Sequence, residues 1–112
     1  MASVPFEEYI PSARHHGSSS AAGAPHTLLV VDDQEAVIAS VEELFRGRYR
    51  VLGARNVADA LAIIREGQIA VVMADQRMPG VSGSELLAHV ALLEPDVTRI
   101  LMTAYADLDA VM

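Results

Sequence analysis

The chain has 112 residues, enough for one small domain. About half are hydrophobic (52%) and 21% are charged, which favours a packed core over disorder. Eight basic against fifteen acidic residues give a net charge of −7, a poor basis for gripping nucleic-acid phosphates. There is no cysteine, which excludes disulfides and thiolate chemistry, and no lysine. No apolar run approaches the ~20 residues of a membrane span. The N-terminus lacks the basic start and apolar core of a signal peptide, so a cytoplasmic location is expected.

Residues 1–26 form the first segment. The stretch from Arg14 to Pro25 is small, polar and unpatterned. It buries too little apolar surface to offset chain entropy, so residues 1–26 are read as a flexible leader. His15-His16 has no partner at metal-ligand spacing nearby and reads as solvated linker.

From Thr27 the pattern alternates. Leu28-Leu29-Val30-Val31 is a short continuous apolar run, as in a strand buried on both faces. Val37, Val41, Leu44 and Phe45 then mark one apolar helical face, with Gly47 placed to close the helix. Tyr49 to Leu52 reads as a second strand. Asn56 suits the N-cap of a second helix whose buried side is Leu61 and Ile64. Ile69 to Ala74 is a third strand. Ser82 and Glu85 have capping-box spacing before the stripe Leu86, Leu87, Val90 and Leu93. Val97 to Met102 is a fourth strand, and Ala106 to Met112 resembles the opening of a fourth helix.

Strands buried on both faces, each followed by an amphipathic helix, imply an α/β fold with a doubly wound, open parallel sheet. Ligands in such sheets bind at the carboxyl ends of the strands, at the topological switch point. The first strand ends in Asp32-Asp33, the third in Asp75 and the fourth in Thr103. Three carboxylates gathered there raise one another's pKa unless a cation neutralises them. Mg²⁺ suits an all-oxygen site of this kind, and a carboxylate beside it can act as a nucleophile toward phosphorus. Taken singly, these residues have other readings: Asp33 as a helix N-cap, and Thr103 as an ordinary strand-end residue. Their joint occurrence favours phosphoryl transfer to an aspartate.

The segments Leu29-Val30-Val31-Asp32-Asp33-Gln34, Met73-Ala74-Asp75-Gln76-Arg77-Met78-Pro79-Gly80 with Ser82-Gly83, and Ile100-Leu101-Met102-Thr103-Ala104-Tyr105 resemble the receiver domains of two-component response regulators. The resemblance covers residues 27–112. It implies a flavodoxin-like fold lacking the fifth strand and helix, and it assigns roles by position. Asp75 would accept a phosphoryl group from a sensor histidine kinase or phosphotransfer protein. Asp32, Asp33, Asp75 and the Arg77 backbone carbonyl would hold Mg²⁺. Thr103 would hydrogen-bond the phosphoryl group, Ala104 would leave room for it, and Arg77 and Tyr105 would tune its lifetime. Turnover is not implied beyond slow loss of the phosphoryl group, so the chain reads as a non-enzyme.

The family places a lysine on its fifth strand, and this chain has none. C-terminal truncation is the simplest explanation, and such a fragment is expected to self-associate or be partly molten. A homodimer is compatible with the resemblance; contact with nucleic acid or membrane is not expected. The wording around Asp75 and Thr103 is similar to receivers joined to hydrogenase-type transcription activators or HD-type phosphodiesterases, so an output domain is expected outside this chain. Two alternatives remain. A degenerate receiver would serve protein contacts only. A haloacid-dehalogenase-type enzyme would need an Asp-x-Asp nucleophile motif, which neither Asp75-Gln76-Arg77 nor Asp32-Asp33-Gln34 supplies.

Overall fold

The structure, a computed structural model, describes residues 26–103. The leader up to Pro25 with His15 and His16, the pair Ala104 and Tyr105, and the expected fourth helix lie outside the described residues. Within them, four strands alternate with three helices: β1 His26–Val31, α1 Glu35–Leu44, β2 Tyr49–Ala54, α2 Val57–Glu66, β3 Val71–Asp75, α3 Gly83–Leu93 and β4 Thr98–Met102. All pairings are parallel, in the order β2-β1-β3-β4. The fold is the doubly wound, flavodoxin-like sheet expected from the sequence, with four strands described.

Burial explains why these segments are strands. In β1, Leu28 to Val31 are fully buried, and Val71, Val72 and Ala74 of β3 match them. Such a strand serves two cores at once. Leu29, Val31, Val72 and Ala74 face Ala60 and Ile64 of α2 and Leu86, Leu87 and Val90 of α3. Leu28, Val30, Val71 and Met73 face Ile38, Val41 and Phe45 on the opposite side, where α1 packs. Burying each such Val, Leu or Ile contributes roughly 1.5–3 kcal/mol.

Helix starts are local. The Asn56 side chain accepts the Asp59 backbone N–H at 2.8 Å, as expected of an N-cap. Ser82 and Glu85 form the full capping box ahead of α3.

Several boundaries and faces differ from expectation. β1 begins at His26, β2 continues through Gly53 and Ala54, β3 starts at Val71 and reaches Asp75, and β4 starts at Thr98. In α1 the buried positions are Ile38 and Val41, with Phe45 at the cap, whereas Leu44 is 72% exposed. Val37 packs against the same core, and Gly53 on the neighbouring strand makes room for Ile38, whose side chain a Cβ there would meet. The α1 C-cap is Phe45, and Gly47 occupies the following turn at φ +86°. In α2, Ala60 is fully buried beside Ile64 and Leu61 only half so. Leu93, the last residue of α3, is 40% exposed.

Candidate functional site

Strand register brings the site residues level. Val31 pairs with Ala74, so Asp32 and Asp75 leave adjacent strands side by side. Asp75 pairs with Met102, so Thr103 follows on the next strand over. β1 and β3 are neighbours whose connections run to opposite faces of the sheet, and this is the crevice where such folds bind ligands.

One carboxylate oxygen each from Asp32, Asp33 and Asp75 lies within 4.8 Å of the others. Asp32 is buried and the other two are half-buried. The Asp32 Oδ1 accepts the Gln34 backbone N–H at 2.8 Å, closing a tight turn before α1. Gln34, not Asp33, is the α1 N-cap residue, and it makes no side-chain cap. Asp33 is therefore not used as a helix cap, which leaves its carboxylate for the cluster.

Burial pushes the Asp32 carboxyl above the usual range; the Gln34 N–H opposes this and the charge of Asp33 adds to it. Burial does the same at Asp75, reinforced by the Asp32 charge and opposed by the Arg77 backbone N–H. Three oxygen donors that repel one another at close range fit a hard divalent cation such as Mg²⁺, which would relieve the repulsion.

The loop after Asp75 is short and anchored. Met78-Pro79-Gly80 defers the next helix to Gly83. Gln76 is buried; its backbone N–H donates to the Met102 carbonyl at 2.8 Å. Thr103 and Arg77 are exposed at the same edge.

One contributor escaped the sequence reading. Arg55, just past β2, donates from Nε and Nη2 to the Asp33 backbone carbonyl at 3.3 and 3.0 Å, and its Nη1 pairs with Glu35 at 3.5 Å. It ties the β1–α1 loop, and with it Asp33, to the end of β2. It also lines a polar cleft with Asp33, Asn56 and Asp59 beside the carboxylates. An arginine at the end of the strand adjoining Asp33 was the available signal, but only strand order makes it adjacent.

A haloacid-dehalogenase arrangement finds no support, since the residue two beyond Asp75 is Arg77. Among the described residues, no helix is long and apolar enough to cross a membrane.

The chain resembles known proteins in sequence and in fold. The family model for the response regulator receiver domain matches residues 28–112. Sporulation initiation phosphotransferase F of Bacillus subtilis is 32% identical over 85 residues, covering 75% of this chain and 68% of that protein. The hydrogenase transcriptional regulatory protein HoxA of Cupriavidus necator is 33% identical over 81 residues, 72% of this chain but only 17% of HoxA. Among solved structures, the receiver domain of an HD domain-containing protein from Pseudomonas fluorescens Pf-5 superposes with a TM-score of 0.72 at 29% identity, covering 79% of this chain and 70% of that one. With the fold, the strand-end carboxylates and these matches in agreement, the chain belongs to the response regulator receiver domain family of two-component systems.

Proposed function

We propose that this receiver takes a phosphoryl group from a phosphohistidine of a sensor kinase or phosphotransfer protein onto Asp75, and that the modified domain switches a regulatory output. The observation that carries this reading is the convergence of the Asp32, Asp33 and Asp75 carboxylates within 4.8 Å at the β1/β3 crevice. A carboxylate oxygen of Asp75 attacks phosphorus, forming an O–P bond as the P–N bond to the donor imidazole breaks. The imidazole leaves with that electron pair, and the phosphoryl group stays as an acyl phosphate.

Asp32, Asp33, Asp75 and the Arg77 backbone carbonyl would be the protein ligands for Mg²⁺. When bound, the cation offsets the negative charge that gathers as phosphate meets carboxylate. The Thr103 hydroxyl donates to a phosphoryl oxygen, and Ala104 leaves the phosphoryl group room. Arg77 and Tyr105, by their positions in the family's sequence pattern, tune the lifetime of the acyl phosphate. The domain spans residues 27–112 with residues 1–26 as its leader, it acts in the cytoplasm, and it performs no turnover of its own beyond slow dephosphorylation.

The test is labelling of the chain by a small phosphodonor such as acetyl phosphate, with and without Mg²⁺. Mg²⁺-dependent incorporation of one acid-stable, base-labile phosphoryl group is expected, slow because no lysine is present to pair with it. Asp75→Asn should abolish it. Undiminished labelling of that variant would remove Asp75 from its role. Mg²⁺ binding without any labelling would instead favour a receiver that acts through protein contacts alone.

A further inference from the structure

Gln76 follows Asp75 directly, is only 9% exposed, and holds three elements together. Its backbone N–H donates to the Met102 carbonyl at the end of β4 (2.8 Å), and its backbone carbonyl accepts the Gly83 N–H (3.1 Å). Its side-chain Oε1 accepts the Ser84 N–H at 2.9 Å. The third N–H of α3, from Glu85, goes to Ser82 Oγ at 3.2 Å. The first N–H groups of a helix have no partner within the helix and are usually met by a cap or by water. Here two of them are met by the residue next to the candidate acceptor.

The approach is close enough to constrain sequence. A Cβ at position 83 would overlap the Asp75 carbonyl, so only glycine lets α3 start there. The peptide after Asp75 is thus gripped from β4 on one side and from the first turn of α3 on the other. A leucine at position 76 would fill similar space but leave the part-buried Ser84 N–H without its acceptor.

We propose that Gln76 is a positioning residue for the acceptor: its side chain locks the peptide after Asp75 to the first turn of α3, fixing how the Asp75 carboxylate meets an incoming phosphoryl group. The proposal rests on the reading of Asp75 as acceptor. It makes a graded claim. Two of the proposed cation ligands, Asp75 and Arg77, flank Gln76, whereas Asp32 and Asp33 sit on the β1–α1 loop. Loss of the side-chain bond therefore weakens a phosphoryl-like ligand, bonded to Asp75 alone, more than it weakens a cation held from both loops.

The experiment is an amide NMR titration of the whole chain, first with Mg²⁺ and then with beryllofluoride, a tetrahedral phosphoryl mimic that coordinates carboxylate oxygen. In Gln76→Leu, beryllofluoride affinity should fall about ten-fold, the scale of one buried donor left unsatisfied. Mg²⁺ affinity should fall by clearly less, because Asp32 and Asp33 still hold the cation from the β1–α1 loop. The Ser84 amide shift that accompanies beryllofluoride binding in the parent chain should vanish in Gln76→Leu and persist in Gln76→Glu, which keeps an acceptor oxygen. Ser82→Ala loosens the same turn from its other end and should leave the ratio of the two affinities unchanged.

Parent-like beryllofluoride affinity in Gln76→Leu, or an equal fall in the ratio of beryllofluoride to Mg²⁺ affinity in Ser82→Ala, would overturn the proposal by reducing Gln76 to a general helix anchor. If Gln76→Leu does not fold, the decision passes to the Ser84 amide, whose silence during beryllofluoride binding by the parent or Gln76→Glu chain overturns it equally. A parent chain that binds no beryllofluoride would fail the acceptor reading itself, and the inference with it.

Discussion

The interior of the sheet and its carboxyl edge obey opposite rules, one residue apart. Val31 and Ala74 are fully buried and apolar, and each adds to stability. The next residues, Asp32 and Asp75, are carboxylates pushed toward protonation by burial and by neighbouring carboxylates, Asp33 for Asp32 and chiefly Asp32 for Asp75, so each ionised group opposes folding. The strands thus spend part of their hydrophobic stabilisation to hold an arrangement that is unfavourable until something positive enters it. Residues that destabilise a fold at the ligand end of its strands are the ones whose presence calls for a functional explanation.

The largest effect should come from the interior. Ile64→Ala removes a side chain only 1% exposed between α2 and the sheet, and should lower unfolding free energy by about 2–5 kcal/mol in urea titration. An intermediate effect lies at the edge but outside the carboxylate cluster. Asn56→Ala removes the acceptor of the Asp59 N–H and should cost about 1 kcal/mol.

The smallest effect has the opposite sign. Asp75→Asn should stabilise the metal-free chain at neutral pH by roughly 0.5 kcal/mol, the scale of substitutions outside a core. The pH dependence sharpens this. Folding raises the Asp75 pKa, so between the unfolded and folded values the native state holds more protons, and stability falls as pH rises. The penalty is nil below the unfolded value of ~3.9 and complete above the folded one, so the benefit of Asn should appear only as pH climbs through that window. Thermal melts of both chains across acid to neutral pH, with chelator, check it. An Asn variant less stable than its parent at neutral pH would erase the contrast between edge and interior.

Much of this contrast was legible in the sequence. Apolar runs ending in aspartate gave both the strands and the site, and Asn56, Ser82 and Glu85 announced their caps through local chemistry alone. The face of α1 was legible in large part: Val41 and Phe45 are buried and Val37 packs against the same core. Leu44 was misplaced and Ile38 missed, and Gly53, on another strand, makes room for Ile38. Leu93 was misread because a stripe gives the phase of a helix but not how well its last turn is covered. Arg55 and Gln76 were invisible as contributors because their partners, the Asp33 carbonyl and the Ser84 N–H, are set by strand order and helix docking.

The placement of β1 beside β3 has a consequence for how the molecule forms. Asp32 and Asp33 are far from Asp75 along the chain, with all of β2 and α2 between them, so the carboxylates meet only when the non-local β1–β3 pairing closes. Such pairings carry a loop-closure cost before they return any contact energy. Here they must also press like charges together at the finish. A cation that binds the assembled cluster and not the open chain draws on the same free energy as the folding reaction. Occupancy of the crevice and completion of the sheet are therefore two readings of one equilibrium.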